Sequence, residues 1–281
     1  MVDNACFTDL AGHAAAQGCL FNEMVKSGRI IIIGDVHGCL DELRELFVLL
    51  NPTINDRVFS IGDLIDRGPD SAGVVNFCAE LGNTCHFRLV LGNHEEKFLR
   101  WLHHVENKTG MESQMKGIDE FPDLLRNLSH KGLNLLRSAC YSIFLKRENI
   151  TLLHGGISEN SKFPFPKTYC HGTHSPKELK GLDLITKIRY LSPEGKFVSF
   201  NEETSEDRYW AEIYDGAFGH IFFGHQPFLQ EKPKEFPHAT CLDTGCVFGG
   251  WLSAVILENG ERSYISVKTK KTYIQKHKIQ K

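Results

Sequence analysis

Six residues that commonly bind metals in proteins lie at the ends of short hydrophobic segments of this sequence. They are Asp35, His37, Asp63, Asn93, His154 and His225. Two carboxylates, one amide oxygen and three imidazoles suit Mn, Fe, Zn or Co better than Ca, which prefers oxygen ligands. Taken singly, such a residue after a strand most often belongs to a turn. Together they predict a centre of two divalent ions about 3.5–4 Å apart, bridged by Asp63.

Three residues beside these ligands could act on a phosphoester. His94 follows Asn93 and could protonate a leaving oxygen, with Asp66 orienting its ring. Arg67 could bind two phosphate oxygens at once, as a planar guanidinium does. The predicted chemistry is hydrolysis by attack of a metal-bridging hydroxide, with His94 and Asp66 as catalytic residues and no covalent phosphoenzyme.

Predicted strands place these residues at one edge of a sheet. Strands at 29–33, 57–61 and 87–91 alternate with helices at 39–50, 70–81 and 94–105. Open α/β sheets carry their active sites at the carboxyl ends of such strands. A helix is predicted at 122–138, and the later strands at 141–146, 150–154, 220–225, 240–244, 251–257 and 264–267. The pattern predicts an α/β fold in which a two-sheet β-sandwich is flanked by helices.

Three sequence blocks resemble the phosphoprotein-phosphatase family of metallophosphoesterases. They are GDVHG at 34–38, GDLIDRG at 62–68 and GNHE at 92–95, and the resemblance extends over about residues 29–267. It implies the calcineurin-like metallophosphoesterase fold and two divalent metal ions, with manganese favoured and iron, zinc or cobalt as alternatives. The implied ligands of the first ion are Asp35, His37 and Asp63, and those of the second are Asp63, Asn93, His154 and His225.

A second phosphate-binding arginine is expected between the two late histidines, where relatives in that family keep one. Arg189 is the favoured residue and Arg208 the alternative, although Arg189 could also be a surface residue on an edge strand. Asp243 should follow a strand beside the one that bears His225, where it would either support a metal histidine or cap a turn. Cys246 is assigned to packing, because no histidine is placed to activate it.

Length and composition describe an ordinary globular chain. Of its 281 residues 41% are hydrophobic and 24% are charged, and the net charge is -3, so we expect no binding to a nucleic acid polymer. The longest aliphatic run, at 30–33, is far shorter than the roughly 20 residues that span a membrane. Nine cysteines without a CxxC pair, and no visible secretory signal, predict a cytoplasmic protein with reduced thiols. We expect an N-terminal extension at 1–28, the metallophosphoesterase domain at 29–267 and a basic tail at 268–281.

Two classes of substrate remain open. The DRG and GNHE sequences, with Asp66 and Glu95, match bacterial and phage serine/threonine phosphatases. Other segments resemble symmetrical dinucleoside-tetraphosphate hydrolases: GDVHGC, RLVLGNH, ITKIRYLSPEG, and LDTGC followed by FGG. Those hydrolases usually have a small neutral residue in place of Asp66, whereas asymmetrical bacterial tetraphosphatases keep DRG.

A loop at 161–182 could bind either substrate, because it carries the aromatic and basic residues Phe163, Phe165, Lys167 and Tyr169. We predict a phosphoprotein serine/threonine phosphatase, with bis(5'-nucleosyl)-tetraphosphatase activity on diadenosine tetraphosphate as the alternative. A catalytically silent metal-binding scaffold is a third hypothesis, but no residue of the predicted site is missing that would favour it.

Overall fold

The computed structural model describes residues 28–158, 169–170 and 181–275. Within them, two β-sheets pack face to face, and helices cover the other side of the first sheet. The predicted α/β fold with two sheets flanked by helices is confirmed. Residues 1–27 and 276–281 lie outside the described residues, so the predicted domain boundaries stay predictions.

The first sheet combines the beginning and the end of the chain. Strands β1 (Ile30–Ile33), β2 (Arg57–Ser60) and β3 (His86–Leu89) run parallel to one another. Strand β13 (Trp251–Glu258) pairs antiparallel with β1, and β14 (Glu261–Lys268) pairs antiparallel with β13. The sheet order is therefore β14–β13–β1–β2–β3.

Alternate residues of β1 serve two different cores, as the two-residue period of a strand requires. Ile31 and Ile33 pack in the cluster that contains the helices, whereas Ile30 and Ile32 pack in the cluster between the two sheets. All four side chains are buried. A continuous apolar run is expected for a strand covered on both faces.

Five helices follow the strands of the first half. They are α1 (Leu40–Leu50), α2 (Ser71–Glu80), α3 (Asn93–Glu106), α4 (Phe121–Asn127) and α5 (His130–Arg137). The single helix predicted at 122–138 is wrong, because Leu128 has extended backbone angles and ends α4. The hydroxyl of Ser129 then accepts a hydrogen bond from the Gly132 N–H at 3.0 Å and starts a new helix.

The second sheet contains β4 (Cys140–Leu145), β5 (Ile150–Leu153), β6 (Tyr169–Cys170), β10 (His220–Phe223), β11 (Lys234–Glu235) and β12 (Ala239–Cys241). Its order is β11–β12–β10–β5–β4–β6, and β5, β10 and β12 run parallel. The two sheets face each other across fully buried side chains such as Ile32, Phe59, Leu152 and Phe222. Strand β12, which precedes Asp243, runs beside β10, as predicted.

A third, small sheet was not predicted. It consists of β7 (Tyr190–Leu191), β8 (Phe197–Val198) and β9 (Arg208–Tyr209), and a short helix α6 (Trp210–Ile213) follows it. Two-residue strands are too short to produce a periodic hydrophobic pattern. Its apolar residues pack against the second sheet. This packing holds the segment that follows Arg189 against that sheet.

The described end of the chain lies against the domain. Thr269 is buried, and the hydroxyl of Tyr273 donates to the carboxylate of Glu42 at 3.0 Å. Among the described residues, no helix is long and apolar enough to cross a bilayer.

Candidate active site

The predicted metal ligands converge where strands of both sheets end. Asp35 and His37 follow β1, Asp63 follows β2, and Asn93 is the first residue of α3. The second sheet contributes two histidines, since His154 directly follows β5 and His225 comes two residues after β10. The site therefore lies at the carboxyl ends of parallel strands, as expected for an α/β sheet.

The backbone of the site loops adopts an unusual conformation. Five non-glycine residues of the site have positive φ angles, which L-residues rarely adopt: His37 (47°), Asp63 (51°), Asp66 (71°), Arg67 (72°) and His225 (69°). Such a conformation costs on the order of 1 kcal/mol per residue and is kept where the surrounding structure holds it. Clustering of this strain at one place is typical of a functional site.

The buried carboxylate of Glu95 holds the loop that carries Asp63. It accepts backbone hydrogen bonds from Asp63 (2.8 Å), Leu64 (2.7 Å), Ile65 (3.2 Å) and Gly92 (3.0 Å). This function of Glu95 was missed from the sequence. The available signal was a glutamate three residues after the N-cap of a helix, a position from which its side chain can reach back to the N-cap backbone.

Asp63 lies at the centre of the site. Its Oδ2 atom is 3.4 Å from His37 Nε2, 3.3 Å from His154 Nε2 and 3.9 Å from His94 Nε2. Two groups of residues could each hold a metal ion, and within each group the possible ligand atoms lie within 4.8 Å of one another. The first group is His37, Asp63 and His94, the second is Asp63, His154 and His225, and Asp63 belongs to both. Asp63 is thus placed where it could contribute to both groups, whereas the first group contains His94 in the place where Asp35 was expected.

His154 shows why a cation fits this site. Its Nδ1 lies 2.8 Å from the carbonyl oxygen of Ile61, to which it can only donate, so Nε2 of the neutral ring carries a lone pair. That atom faces two acceptors, Asn93 Oδ1 at 3.1 Å and Asp63 Oδ2 at 3.3 Å. Burial lowers the pKa of His154, but the carboxylates of Asp63 and Asp35 and the carbonyl of Ile61 together outweigh burial, and the pKa rises to about 9. A proton or a metal ion at Nε2 would satisfy all three atoms.

His37 is held in the same way. Its Nδ1 lies 3.0 Å from the carbonyl oxygen of Ile65, and its Nε2 accepts a hydrogen bond from Arg67 Nη1 at 2.8 Å. Burial, and then the charge of Arg67, lower the pKa of His37 to about 3, so its ring is neutral. A backbone carbonyl that fixes the tautomer of a neutral histidine is a common support for a metal ligand.

Asp35 and His225 contain buried polar atoms without a partner. Asp35 Oδ2 accepts the backbone N–H of His225 at 3.0 Å, but Asp35 Oδ1 and His225 Nε2 have no hydrogen-bond partner among the described residues. A Cβ atom on Gly224 would lie 1.9 Å from Asp35 Oδ1, so any side chain there would displace the carboxylate of Asp35. Buried polar atoms are rarely left unpaired. Together with the two ligand groups around Asp63, they indicate that these residues fit divalent metal ions.

The predicted catalytic pair is in direct contact. His94 Nδ1 lies 2.6 Å from Asp66 Oδ2. Burial would raise the pKa of Asp66, but the hydrogen bond from His94, the charge of that ring and the backbone N–H of Arg67 together outweigh burial and hold the pKa at about 2. His94 Nε2 is buried and has no hydrogen-bond partner in the part of the chain that the structure describes. This nitrogen is therefore the one available to a substrate.

Both predicted phosphate arginines lie at the site. Arg67 contacts His37, and Arg189 Nη2 donates to the carbonyl oxygen of His225 at 3.0 Å. The Arg189 Nε atom is buried and unpaired within the described ranges. Arg208, the alternative, is exposed on β9. The placement therefore favours Arg189 as the second arginine.

Asp243 and Cys246 lie in the segment between β12 and β13. Asp243 Oδ1 accepts the backbone N–H of Gly245 at 3.0 Å, so this aspartate caps a turn. Burial raises the pKa of Asp243 to about 6. Cys246 is buried, and burial raises its pKa well above that of an ordinary thiol, in agreement with packing. The aromatic and basic residues Phe163, Phe165 and Lys167 of the predicted substrate loop lie outside the described residues.

A model of one known family matches most of the chain. This family, described as calcineurin-like phosphoesterase, matches residues 28–252. The chain belongs to the calcineurin-like phosphoesterase family. It is a metal-dependent phosphoester hydrolase, as predicted, and membership of this family implies a centre of two divalent metal ions.

Two curated relatives are similar to this chain over most of their length. The chain is 30% identical to the asymmetrical bis(5'-nucleosyl)-tetraphosphatase PrpE of Oceanobacillus iheyensis, over 88% of this chain and 94% of the relative. It is also 30% identical to the symmetrical bis(5'-nucleosyl)-tetraphosphatase of Edwardsiella ictaluri, over 82% of this chain and 92% of the relative.

Two solved structures are similar in fold. A crystal structure described as a candidate diadenosine tetraphosphatase has a TM-score of 0.64 and 26% identity, and the match covers 86% of this chain and 94% of that one. A protein serine/threonine phosphatase from Saccharomyces cerevisiae has a TM-score of 0.54, covering 94% and 90% of the two chains. Its 14% identity establishes a common fold alone.

Proposed function

We propose that this protein hydrolyses bis(5'-nucleosyl) tetraphosphates such as diadenosine tetraphosphate. The observation that carries this proposal is the name shared by two relatives that are 30% identical over nearly their whole length. The sequence blocks alone favour a phosphoprotein substrate, but the phosphoprotein phosphatases among the structural neighbours share only 14% and 18% of their residues with this chain. The relatives therefore support a dinucleoside tetraphosphate substrate more strongly than the phosphoprotein substrate predicted from the sequence.

The charges of the site suit a long phosphate chain. Arg67 and Arg189 approach the centre from two different loops, and each offers a planar set of donors to phosphate oxygens. A tetraphosphate carries several negative charges along its length, so two separate guanidinium groups can bind neighbouring phosphates. In this proposal Arg67 and Arg189 bind and orient the substrate.

His94 supplies the proton that the leaving oxygen needs. Asp66 holds its Nδ1 at 2.6 Å, which fixes the ring and leaves Nε2 for the substrate. The leaving nucleotide takes the proton from Nε2, and no covalent bond to the protein forms at any stage. His94 and Asp66 are thus the proposed catalytic pair.

The proposed metal ligands are those predicted from the sequence. Asp35, His37 and Asp63 would hold one divalent ion, and Asp63, Asn93, His154 and His225 would hold the other, with manganese as the proposed metal. When bound, such ions lower the pKa of water and neutralise charge on phosphate oxygens.

The test is a direct comparison of two substrates on purified, manganese-loaded protein. We expect kcat/KM for diadenosine tetraphosphate to exceed that for a phosphoserine peptide by a hundredfold or more, which corresponds to about 2.7 kcal/mol of transition-state selectivity. Chromatography of the products separates symmetrical cleavage, which gives two ADP, from asymmetrical cleavage, which gives ATP and AMP. A preference for the phosphopeptide would overturn the proposal.

A further inference from the structure

Phe200 differs from the other aromatic residues in its exposure. Its relative exposure is 47%, and every other Phe, Tyr or Trp side chain whose exposure the structure describes is at least partly buried. An isolated exposed apolar residue is common on protein surfaces and by itself indicates nothing. The position of this one relative to the site is what gives it meaning.

Phe200 lies against a residue of the proposed substrate site. Its ring centroid is 5.0 Å from Arg189 Cζ, within the range of a cation–π contact. Arg189 in turn donates to the carbonyl oxygen of the metal-site residue His225. A single side chain therefore separates the exposed ring from the centre where phosphate is cleaved.

We propose that Phe200 is a stacking platform for a nucleobase of the substrate, an inference that rests on the proposed function. A phosphate bound by Arg189 carries its nucleoside towards the surface, where Phe200 offers a flat apolar face. Aromatic side chains stack on nucleobases largely irrespective of base identity. Contact with the guanidinium of Arg189 already orients the ring, so stacking on a base costs little further side-chain entropy. Phe200 would thus select nucleotides over phosphoesters without a base.

The experiment compares two substitutions on two substrates. Phe200→Leu keeps an apolar side chain over Arg189 but removes the flat face, whereas Phe200→Trp keeps it. The measured quantity is the ratio of kcat/KM for diadenosine tetraphosphate to kcat/KM for p-nitrophenyl phosphate. We expect this ratio to fall about tenfold in Phe200→Leu, the loss typical of one base stack, and to stay near the wild-type value in Phe200→Trp.

A second readout measures binding alone. The inhibition constant of ADP against p-nitrophenyl phosphate should rise about tenfold in Phe200→Leu, while that of pyrophosphate should change far less. Val48→Ala is the control, because Val48 is also an exposed apolar residue (77%), on α1, and its loss should leave both quantities unchanged.

Three results would overturn the inference. If Phe200→Leu slows both substrates equally, or raises both inhibition constants equally, Phe200 only positions Arg189. If neither changes while the wild-type protein cleaves diadenosine tetraphosphate, the stacking role fails and the proposed function stands. If the wild-type protein does not cleave that dinucleotide, the proposed function fails as well.

Discussion

Asp66 and His94 illustrate how much single residues reveal about the site. Both belong to short sequence blocks whose chemistry predicts a catalytic pair, and the structure places them 2.6 Å apart. The six proposed ligands could also be selected from the sequence, because each lies close to the end of a hydrophobic segment. What the sequence could not indicate was the hydrogen bonding around them. The carbonyl groups of Ile61 and Ile65 fix two histidine tautomers. Every residue has a backbone carbonyl group, so residue type does not predict these contacts.

Replacement of His94 by asparagine tests its proposed function as a general acid. We expect kcat for diadenosine tetraphosphate to fall by about a hundredfold or more, because general acid catalysis contributes roughly 10²–10⁴ in rate. The metal content should stay at the wild-type value, measured by elemental analysis of the purified protein, because His94 is not among the proposed ligands.

His130→Asn provides a matched control, because His130 is exposed on α5. It should keep wild-type kcat. Loss of metal from His94→Asn would instead make His94 a ligand, in agreement with its proximity to His37 and Asp63.

Helix α3 shows what the elements contribute beyond the residues they carry. Its first turn contains Asn93, His94 and Glu95, and the Glu95 carboxylate binds the backbone of the preceding loop at Asp63, Leu64 and Ile65. One helix therefore supplies a proposed ligand, a proposed acid and the carboxylate that holds a neighbouring loop.

Two features of the secondary structure were not predicted from the sequence. The break between α4 and α5 depends on a local cap at Ser129, and the strands of the small sheet contain only two residues each.

Glu95→Gln should weaken this connection between loop and helix. A carboxylate can accept all four backbone N–H groups, but the NH₂ group of glutamine would face two of them as a second donor. We expect the free energy of unfolding to fall by about 3 kcal/mol, since each buried group left unpaired costs roughly 1–3 kcal/mol. Denaturation in urea measures this difference.

Glu80→Gln is the comparison for that experiment. Glu80 forms an ion pair with Lys131 at 2.9 Å, but both side chains are more than half exposed. Its replacement should change the free energy of unfolding by less than about 1 kcal/mol. If Glu95→Gln were equally mild, the hydrogen bonds from Asp63, Leu64 and Ile65 to Glu95 would not hold the loop as described.

At the scale of the whole molecule, the site joins the two sheets. Asp35, His37 and Asp63 follow strands of the first sheet, and His154 and His225 follow strands of the second. The alternation of strands and helices, and the later run of short strands, sufficed to predict a two-sheet α/β fold. The order of the strands could not be predicted from the sequence, because β13 pairs with β1 although the two segments lie far apart in the chain.

Removal of metal should therefore destabilise the entire domain. We expect a chelator to lower the melting temperature and added Mn²⁺ to restore it, because a ligand at a hundred times its Kd stabilises the folded state by about 2.7 kcal/mol. Scanning calorimetry measures the shift. Asp63→Asn should lose the response, since Asp63 belongs to both groups of ligand atoms. An Asp63→Asn protein with the wild-type response would argue against a bridging carboxylate.

The pairing of β13 with β1 also has a consequence during translation. Domains fold largely as the ribosome releases them, but here β1 must wait for a partner that is synthesised more than two hundred residues later. Until then the β1 edge, built from four consecutive isoleucines, is open to pairing with other nascent chains. Premature termination anywhere before β13 would therefore yield a product that cannot complete its first sheet. Such fragments should depend on chaperones or be degraded, and active enzyme should appear only after β13 has been synthesised.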